Sequence, residues 1–307
     1  MRALDRVRDL KVFAKQIGCD HLGITNAAEP EDYHRYLSWI QKGYAADMHY
    51  MVEGERVRKR GNLSLVLPGV QSVIVGLFKY PAPAQYSSEL KFARYGWGED
   101  YHLIVKNKLH QLIEWLKTTD DQPYDYKAYV DTGPILERSL AERAGAGWIG
   151  KNTCLIHQEL GSYVFIGEIL TSQNLPTDNH GMNHCGTCTR CIDACPTHAL
   201  EKPYELNAEK CISYQTIENR QEHIPSHISE NLNGWVAGCD ICQEVCPWNQ
   251  DLNEKPTSAL FSKSAYVDMP KKDLLALEKS QFDDLFQKSS FRRIGHSKFM
   301  KTLAIVK

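Results

Sequence analysis

Hydrophobic and polar positions alternate between helical and extended patterns over the first half of the chain. Residues 1–18, MRALDRVRDLKVFAKQIG, place apolar side chains on one side of a helix that ends at Gly18. These apolar positions are Leu4, Val7, Ala14 and Ile17. QSVIVGLFKY is rich in β-branched and apolar residues and predicts a buried strand. DYHLIVKNKLHQLIEWLK predicts a helix with apolar positions at Leu103, Leu109, Leu112, Ile113 and Leu116.

The alternation continues through the next segments. YKAYV predicts a strand that runs into Asp131, and PILERSLAERAG predicts a helix with Pro134 in its first turn and Gly145 at its end. YVFIGEIL predicts a further strand. Strands and helices in alternation indicate an α/β or α+β domain, which we assign to residues 1–175.

The remaining chain divides into two further segments. TSQNLPTDNHGMNH is polar and unpatterned and marks a boundary, after which residues 176–253 hold most of the cysteines. Residues 254–307 form a C-terminal helical segment, because DLLALEKSQFDDLFQKSS and HSKFMKTLAIVK both have helical spacing. The chain stops on an apolar helical pattern, which predicts a truncated helical-repeat extension.

Eight of the ten cysteines have the spacing of iron–sulfur ligands. The first group has the C-x2-C-x2-C-x3-C-P spacing of bacterial ferredoxins, in which the fourth cysteine ligates the other cluster. It consists of Cys185, Cys188, Cys191 and Cys195. The second group has three cysteines and the same C-P ending, and Cys211 can supply its missing ligand. It consists of Cys239, Cys242 and Cys246. Eight thiolates are what two four-iron clusters require.

Other uses of these cysteines are disfavoured. Zinc sites pair two separated C-x2-C knuckles, whereas four cysteines crowd into CGTCTRCIDAC. Disulfides belong to oxidising compartments. Charges interrupt every apolar stretch of the N-terminal residues, which therefore do not have the pattern of a signal peptide, so we expect a cytoplasmic protein. Cys19 and Cys154 are surplus and are interpreted as small buried residues. No run of eighteen apolar residues predicts a membrane span.

The net charge of −2 does not indicate a nucleic-acid partner, but two basic clusters could attract a polyanion. One contains Arg56, Arg58, Lys59 and Arg60, and the other Arg292, Arg293, Lys298 and Lys301. From charge alone, two solvated faces are the preferred interpretation. GAGWIGK at residues 145–151 matches parts of two nucleotide-binding motifs. It follows a helix instead of a strand, so a helix stop and a tight turn are predicted there.

Besides the cysteines, two segments of the sequence contain candidate functional residues. Asp131 lies at a strand end before a helix, where it either takes part in catalysis or caps the helix. The segment FARYGWGEDYH contains Arg94, Tyr95, Tyr101 and His102. Its glycines and aromatic rings fit a loop that holds a flat group, and the alternative is a packed surface loop.

Several ordered segments resemble epoxyqueuosine reductases. They are ARYGWGEDYH, VDTGPILERSLAERAGAGWIGKNTCLI, GSYVFIGEIL, CGTCTRCIDACPT, CISYQTIE, GCDICQEVCPWN and SSFRRIGH. The resemblance implies reduction of the epoxide of epoxyqueuosine in tRNA to the alkene of queuosine. It also implies cobalamin and two four-iron clusters as cofactors, in a cobalamin-binding domain followed by a ferredoxin-like domain.

The resemblance also implies roles for individual residues. Cys185, Cys188, Cys191 and Cys246 would hold one cluster, and Cys195, Cys211, Cys239 and Cys242 the other. Asp131 would be the proton donor. The residues near cobalamin would be Arg94, Asp131, Ser213 and Asp240. Expected partners are the anticodon stem-loop of tRNA and a small reductant protein such as flavodoxin or ferredoxin, with the enzyme a monomer. The alternatives are a reductive dehalogenase-like enzyme and a ferredoxin-type electron carrier.

Overall fold

The computed structural model describes residues 3–80, 86, 88–250, 252 and 263–307. Its α-helices are α1 Ala3–Gln16, α2 Tyr33–Gln41, α3 His49–Val52, α4 Gly54–Gly61, α5 Tyr101–Thr118, α6 Glu137–Arg143, α7 Arg190–Asp193, α8 Ser226–Ser229, α9 Ile241–Glu244, α10 Lys271–Leu275, α11 Lys279–Leu285 and α12 His296–Ile305. Its strands are β1 His21–Asn26, β2 Ser72–Lys79, β3 Lys91–Phe92, β4 Tyr126–Tyr129, β5 Trp148–Ile149, β6 Leu155–Ile156, β7 Val164–Thr171, β8 Leu200–Lys202, β9 Glu205–Leu206 and β10 Trp235–Ala237.

A four-stranded sheet in the order β1-β2-β7-β4 organises the N-terminal half. All three strand pairs in it are antiparallel, so the fold is of the α+β kind and not a parallel α/β sheet. The predicted strands QSVIVGLFKY, YKAYV and YVFIGEIL correspond to β2, β4 and β7. Since all pairs are antiparallel, the site cannot lie at a switch point of parallel strands, and its position depends on the loops.

The two faces of this sheet are covered by different helices. Alternate residues of a strand point to opposite faces. Ile74 and Ile169 pack against α1 and α5, whereas Val75 and Leu170 pack in the cluster that contains α6. Both predicted amphipathic helices are present, but Leu4 and Leu103 are 72% and 65% exposed and do not join the core.

The segment between β4 and β7 differs from its prediction at one end. Helix α6 begins at Glu137 with Leu136 as N-cap, so Pro134 is not in its first turn and Asp131 does not cap it. Gly145 ends the helix with a φ of 74°, as the sequence predicts. The GAGWIGK segment then continues into an antiparallel hairpin formed by β5 and β6. It is therefore a turn, as predicted, and not a phosphate-binding loop.

The C-terminal helices pack onto the rest of the molecule. One apolar cluster joins α11 and α12 to β3 and β10 through Phe92, Trp235, Phe282 and Phe299. The three sequence segments therefore share this core, while the predicted boundary at 253/254 lies outside the described residues. Within the described part, no helix has the length and hydropathy to cross a membrane.

Candidate functional site

Asp131 lies in the loop between β4 and α6, and its backbone is left-handed with a φ of 59°. Its amide donates a hydrogen bond to Oε1 of Glu137 at 2.7 Å. The carboxylate is 53% exposed and accepts a hydrogen bond from the Tyr101 hydroxyl at 2.9 Å. Helix capping by Asp131 is excluded by this geometry. Its carboxylate instead faces the first turn of α5.

His102 joins Asp131 to a second carboxylate. Its Nδ1 lies 2.6 Å from Oδ1 of Asp100, and its Nε2 lies 3.5 Å from Oδ2 of Asp131. Burial lowers the pKa of His102, but the two carboxylates outweigh it and raise the pKa to about 9. Burial likewise raises the pKa of Asp131, yet hydrogen bonds from His102 and Tyr101 hold it below its usual range. At neutral pH, the proton of this pair is therefore on His102.

Arg94 and Asp240, both predicted near cobalamin, contact each other. The guanidinium lies 3.2 Å from Oδ2 of Asp240 and 2.6 Å from Oε1 of Glu244, and both members of the Arg94–Asp240 pair are buried. The Arg94 amide also donates to Asp240 at 2.8 Å. Burial raises the pKa of Asp240 to about 6, so the carboxylate is ionised at pH 7. This buried pair fixes the FARYGWGEDYH segment against α9, so the segment is packed inside the molecule and not on its surface.

Ser213 is half-buried and precedes a π-helical turn, Tyr214–Glu218. Such turns are rare and often lie at functional sites. Glu218 ends the turn and pairs with Arg293 at 2.7 Å. The charge of Arg293 in turn lowers the pKa of Asp131, so the C-terminal segment reaches the site. The position of Arg293 beside Asp131 was not predicted, because only the folded chain brings residues 131 and 293 together.

The eight predicted cluster cysteines fall into two groups by their mutual interactions. One group consists of Cys185, Cys188, Cys191 and Cys246. Burial, followed by the charges of Cys246 and Cys185, raises the pKa of Cys191 to about 11, and burial with the charges of Cys185 and Cys188 raises the pKa of Cys246. The other group consists of Cys195, Cys211, Cys239 and Cys242. Burial and the charge of Cys195 raise the pKa values of Cys211 and Cys239, and interaction with Cys154, followed by burial, raises that of Cys242. No three His, Cys, Asp or Glu side chains in the described ranges converge as ligands of a single ion would. Each ligand of a four-iron cluster binds its own iron, so this donor set fits two clusters.

Cys154 lies among these thiols and was wrongly interpreted as only a small buried residue. Interaction with Cys242 lowers the pKa of the Cys154 thiol, and the charge of Cys154 also acts on Cys211 and Cys246. Cys19 fits its prediction, because it is buried and donates to the carbonyl of His21 at 2.9 Å.

The end of the GAGWIGK segment supports both cysteine groups. Lys151 donates to the carbonyls of Gly186 at 2.7 Å and Cys188 at 2.9 Å. The Asn152 amide donates to the carbonyl of Cys242 at 3.2 Å. The sequence predicted a turn here but gave no sign of these contacts, which join the turn to loops distant in the chain.

The two basic clusters are less exposed than the solvated-face interpretation requires. Arg60 is 3% exposed and lies over the Tyr36 ring. Arg56 donates to the carbonyl of Thr132 at 3.2 Å. In the C-terminal cluster, Arg293 is paired as described and Lys298 donates to the carbonyl of Gln215 at 2.7 Å, whereas Arg292 and Lys301 are exposed. A groove of about 750 Å³ is lined in part by Arg220, Lys298 and Lys301.

Two known families match parts of the chain. Residues 184–249 match the family described as "4Fe-4S double cluster binding domain". Residues 60–132 match "Epoxyqueuosine reductase QueG, DUF1730". The first match covers all eight predicted cluster cysteines, including Cys211, and the second ends just after Asp131.

Whole-chain comparisons give the same family. An epoxyqueuosine reductase of Synechocystis sp. is 44% identical over 282 residues, which are 89% of this chain and 95% of the relative. A crystal structure of epoxyqueuosine reductase with an epoxyqueuosine-modified tRNA-Tyr stem loop superposes with a TM-score of 0.90 at 30% identity, covering 99% of this chain and 81% of that one.

A further structure is that of the Bacillus subtilis enzyme, with its catalytic aspartate loop swung out of the active site. It has a TM-score of 0.89 at 29% identity and covers 99% of this chain and 82% of that one. A catabolic reductive dehalogenase shares the fold alone, at a TM-score of 0.50 and 16% identity, covering 96% of this chain and 38% of that one. The chain therefore belongs to the epoxyqueuosine reductase family and is an oxidoreductase, not a ferredoxin-type electron carrier.

Proposed function

We propose that this protein reduces the epoxide of epoxyqueuosine, at the wobble position of a tRNA anticodon, to the alkene of queuosine. The observation that carries the proposal is the Asp131–His102 pair, which offers a protonated acid beside a reachable carboxylate. The reaction consumes two electrons and two protons and releases the epoxide oxygen as water. The protein must therefore supply both electrons and a proton at that oxygen.

The cofactors are those of the family, cobalamin and two four-iron clusters. When bound, cobalamin supplies a strongly reducing cobalt centre, and the clusters supply electrons one at a time. By family likeness, the residues near cobalamin are Arg94, Asp131, Ser213 and Asp240. The rings of Tyr101 and Phe165 are buried and stack on each other with centroids 4.1 Å apart, which fixes the Tyr101 hydroxyl that donates to Asp131.

The cluster ligand sets follow the two thiol groups. In our proposal, Cys185, Cys188, Cys191 and Cys246 hold one cluster, and Cys195, Cys211, Cys239 and Cys242 hold the other. Each set takes one ligand from the partner motif, as in bacterial ferredoxins. The interactions within each group of thiols support this assignment.

The proton route starts at His102 and ends at Asp131. His102 is protonated at neutral pH and contacts the Asp131 carboxylate, whose own pKa is low. We propose that His102 passes its proton to Asp131, and that Asp131 donates it to the departing oxygen. The catalytic loop of the Bacillus subtilis relative is recorded in an outward position. We propose the same mobility for the Asp131 loop, residues 130–136.

The partners follow from the substrate. A crystal structure of a relative contains an epoxyqueuosine-modified tRNA stem loop, and we propose the same substrate for this chain. Single-stranded RNA is bound by splaying bases against aromatic and basic side chains. A flavodoxin or ferredoxin is the proposed reductant. We propose that the enzyme works as a monomer in the cytoplasm, where tRNA is modified and thiolates stay reduced.

The proposed reaction can be tested directly. The protein, reconstituted anaerobically with iron, sulfide and cobalamin and reduced chemically, should convert epoxyqueuosine in a tRNA stem-loop to queuosine. Mass spectrometry of the nucleosides should show the loss of one oxygen. Protein without cobalamin is the control. Unchanged epoxyqueuosine with fully loaded protein would refute the proposal.

Binding of tRNA should depend on Arg292 and Lys301. Both side chains are exposed, and Lys301 lines the groove, so they can contact phosphates and release counterions. Replacing both by Ala should reduce the slope of log Kd against log salt by about 2. The double variant Lys106→Ala/Lys117→Ala, on α5, removes the same charge elsewhere and should keep the slope. Equal slopes in wild type and the Arg292/Lys301 variant would assign these residues to an ordinary solvated face.

A further inference from the structure

Trp148 of β5 is a buried indole beside the predicted cluster cysteines. Its side chain is 1% exposed, and the register of the β5–β6 hairpin places it opposite Ile156. Both residues belong to a small apolar cluster with Cys246, against which Cys185 and Trp248 pack. Cys185 and Cys246 come from different motifs but share one proposed ligand set, that of the Cys246 cluster. The proposed ligands of this iron–sulfur cluster are Cys185, Cys188, Cys191 and Cys246.

The indole N–H of Trp148 lacks an acceptor within the protein. Its Nε1 is buried and has no hydrogen-bond partner among the residues that the structure describes. An indole nitrogen can only donate, and a buried Trp N–H usually has an acceptor. Unpartnered buried atoms also occur on Glu168 of β7 and Trp235 of β10, so this property alone does not identify a ligand. Trp148 is distinguished by the two cysteines of one proposed ligand set that share its apolar environment.

The neighbouring aromatic rings offer Trp148 only a weak alternative acceptor. The rings of His184 and Trp248 are each T-shaped to the Trp148 ring, with centroids 4.9 Å from it. An indole N–H can point at the face of such a ring, but this interaction is weaker than a hydrogen bond to a charged group. The thiolates and sulfides of an iron–sulfur cluster are negatively charged and accept hydrogen bonds. A cluster sulfur is therefore the better acceptor.

The backbone around Trp148 is fixed against the first cysteine motif. A Cβ atom on Gly181 would lie 1.9 Å from the Gly147 carbonyl oxygen, so the segment that leads into this motif passes directly against the turn. Lys151, at the end of the same turn, donates to the Cys188 carbonyl at 2.9 Å. The indole is thus held rigidly, so little conformational entropy is lost when its N–H binds an acceptor.

We propose that the Trp148 N–H donates a hydrogen bond to a sulfur of the Cys246 cluster and thereby raises its reduction potential. Such a hydrogen bond stabilises the reduced state more than the oxidised one, because the reduced state carries one more negative charge. Trp148 thereby favours electron transfer to this cluster. The inference rests on the proposed ligand set of the Cys246 cluster, but not on the proposed substrate.

Redox titration of the loaded protein tests this proposal. The whole chain, reconstituted anaerobically with iron, sulfide and cobalamin, is reduced stepwise without tRNA, and electron paramagnetic resonance follows both clusters. Trp148→Phe keeps an aromatic ring but removes the N–H. It should lower the equilibrium constant for one-electron reduction of one cluster by about tenfold, which is about 59 mV in midpoint potential. The potential of the other cluster should not change.

Trp115→Phe is the matched control, because it also replaces an indole by a phenyl ring. Trp115 stacks on Phe13 in the N-terminal core, whose described residues include none of the eight predicted ligand cysteines. Both potentials should therefore equal those of wild type. A purely structural role of Trp148 would lower the midpoint of thermal unfolding in Trp148→Phe and leave both potentials unchanged. That result would overturn the proposal.

Nitrogen coupling gives a second readout that does not depend on the potentials. With tryptophan labelled by nitrogen-15 at the indole nitrogen, pulsed electron paramagnetic resonance of the reduced wild type should show a nitrogen-15 coupling to a cluster. The coupling should be lost in Trp148→Phe and remain in Trp248→Phe, although Trp248 also packs against the cysteines. Absence of the coupling in wild type would contradict the proposal, even if Trp148→Phe failed to retain its clusters.

The potentials distinguish this inference from the proposed function. Because they are measured without tRNA, a lowered potential in Trp148→Phe would support the hydrogen bond whether or not epoxyqueuosine is reduced. Unreduced epoxyqueuosine with the loaded wild type would refute the proposed function alone. Unchanged potentials in Trp148→Phe, with normal turnover by wild type, would refute the hydrogen bond and leave the proposed function intact.

Discussion

Replacing Asp131 by Asn should lower the rate of epoxyqueuosine reduction by about 10²- to 10⁴-fold, the usual contribution of general acid catalysis. Asn keeps the size of the side chain and tolerates the left-handed φ of 59°. It can still accept the Tyr101 hydrogen bond, but it cannot carry a proton from His102 to the substrate. Single-turnover rates with a tRNA stem-loop measure the effect.

The controls for this variant follow from the geometry. Helix α6 begins at Glu137, so Asp131→Asn removes no helix cap, and the midpoint of thermal unfolding should change little. Cobalamin, iron and sulfide contents should match wild type. Asp125→Asn, an exposed position just before β4, is a matched change that should leave the rate unaffected. A fully active Asp131→Asn enzyme would remove Asp131 from the mechanism.

The pH dependence of the same rate has a definite sign. His102 has a pKa of about 9 in the folded protein, above its unfolded value, so it supplies a proton below that pH and loses it above. The rate should therefore fall as the pH rises through about 9. The stability that its ion pairs contribute is present below about pH 6.5 and is lost over the range from there to about 9.

Local patterns predicted the elements around the site. The buried strand β2 and the helix α5 follow from their hydrophobic periods, and Gly145 ends α6 as glycine commonly does. The position of Asp131 just after a strand was also predicted correctly. These features depend on neighbours within a few residues, so the sequence contains the information that determines them.

Long-range pairing was not predictable in the same way. The alternating elements gave no sign that β2, β4 and β7 pair antiparallel. The number of charged residues in the C-terminal cluster also could not show that the Lys298 ammonium donates a hydrogen bond to the Gln215 carbonyl. One missed residue did leave a signal, because Glu168 interrupts the apolar run YVFIGEIL at an inward position. A charged residue in the middle of a buried strand is rare enough to mark a candidate site.

The interpretation of Cys154 as a surplus buried residue is the clearest error of the sequence analysis, because it affects the choice of the eighth cluster ligand. The sequence analysis assigned Cys211, which lies between the two cysteine groups, as the eighth ligand and interpreted Cys154 as surplus. The resemblance agrees with Cys211, but the Cys154 thiol also interacts with Cys242, which lowers the pKa of Cys154. Cys154 and Cys211 are therefore alternative eighth ligands, and the iron content of variants distinguishes between them.

Replacing Cys211 by Ser should remove one of the two clusters. Anaerobically reconstituted wild-type protein should contain about eight iron and eight sulfide per chain, and Cys211→Ser about four of each, because a cluster that loses a thiolate ligand is not retained. Electron paramagnetic resonance of the reduced variant should show a single cluster without coupling to a second. Cys19→Ser is the control and should keep both clusters, because the Cys19 thiol is buried in the core of the N-terminal sheet and donates to the His21 carbonyl. Cys154→Ser is the decisive comparison: if it loses four irons while Cys211→Ser keeps eight, then Cys154 and not Cys211 completes the second cluster.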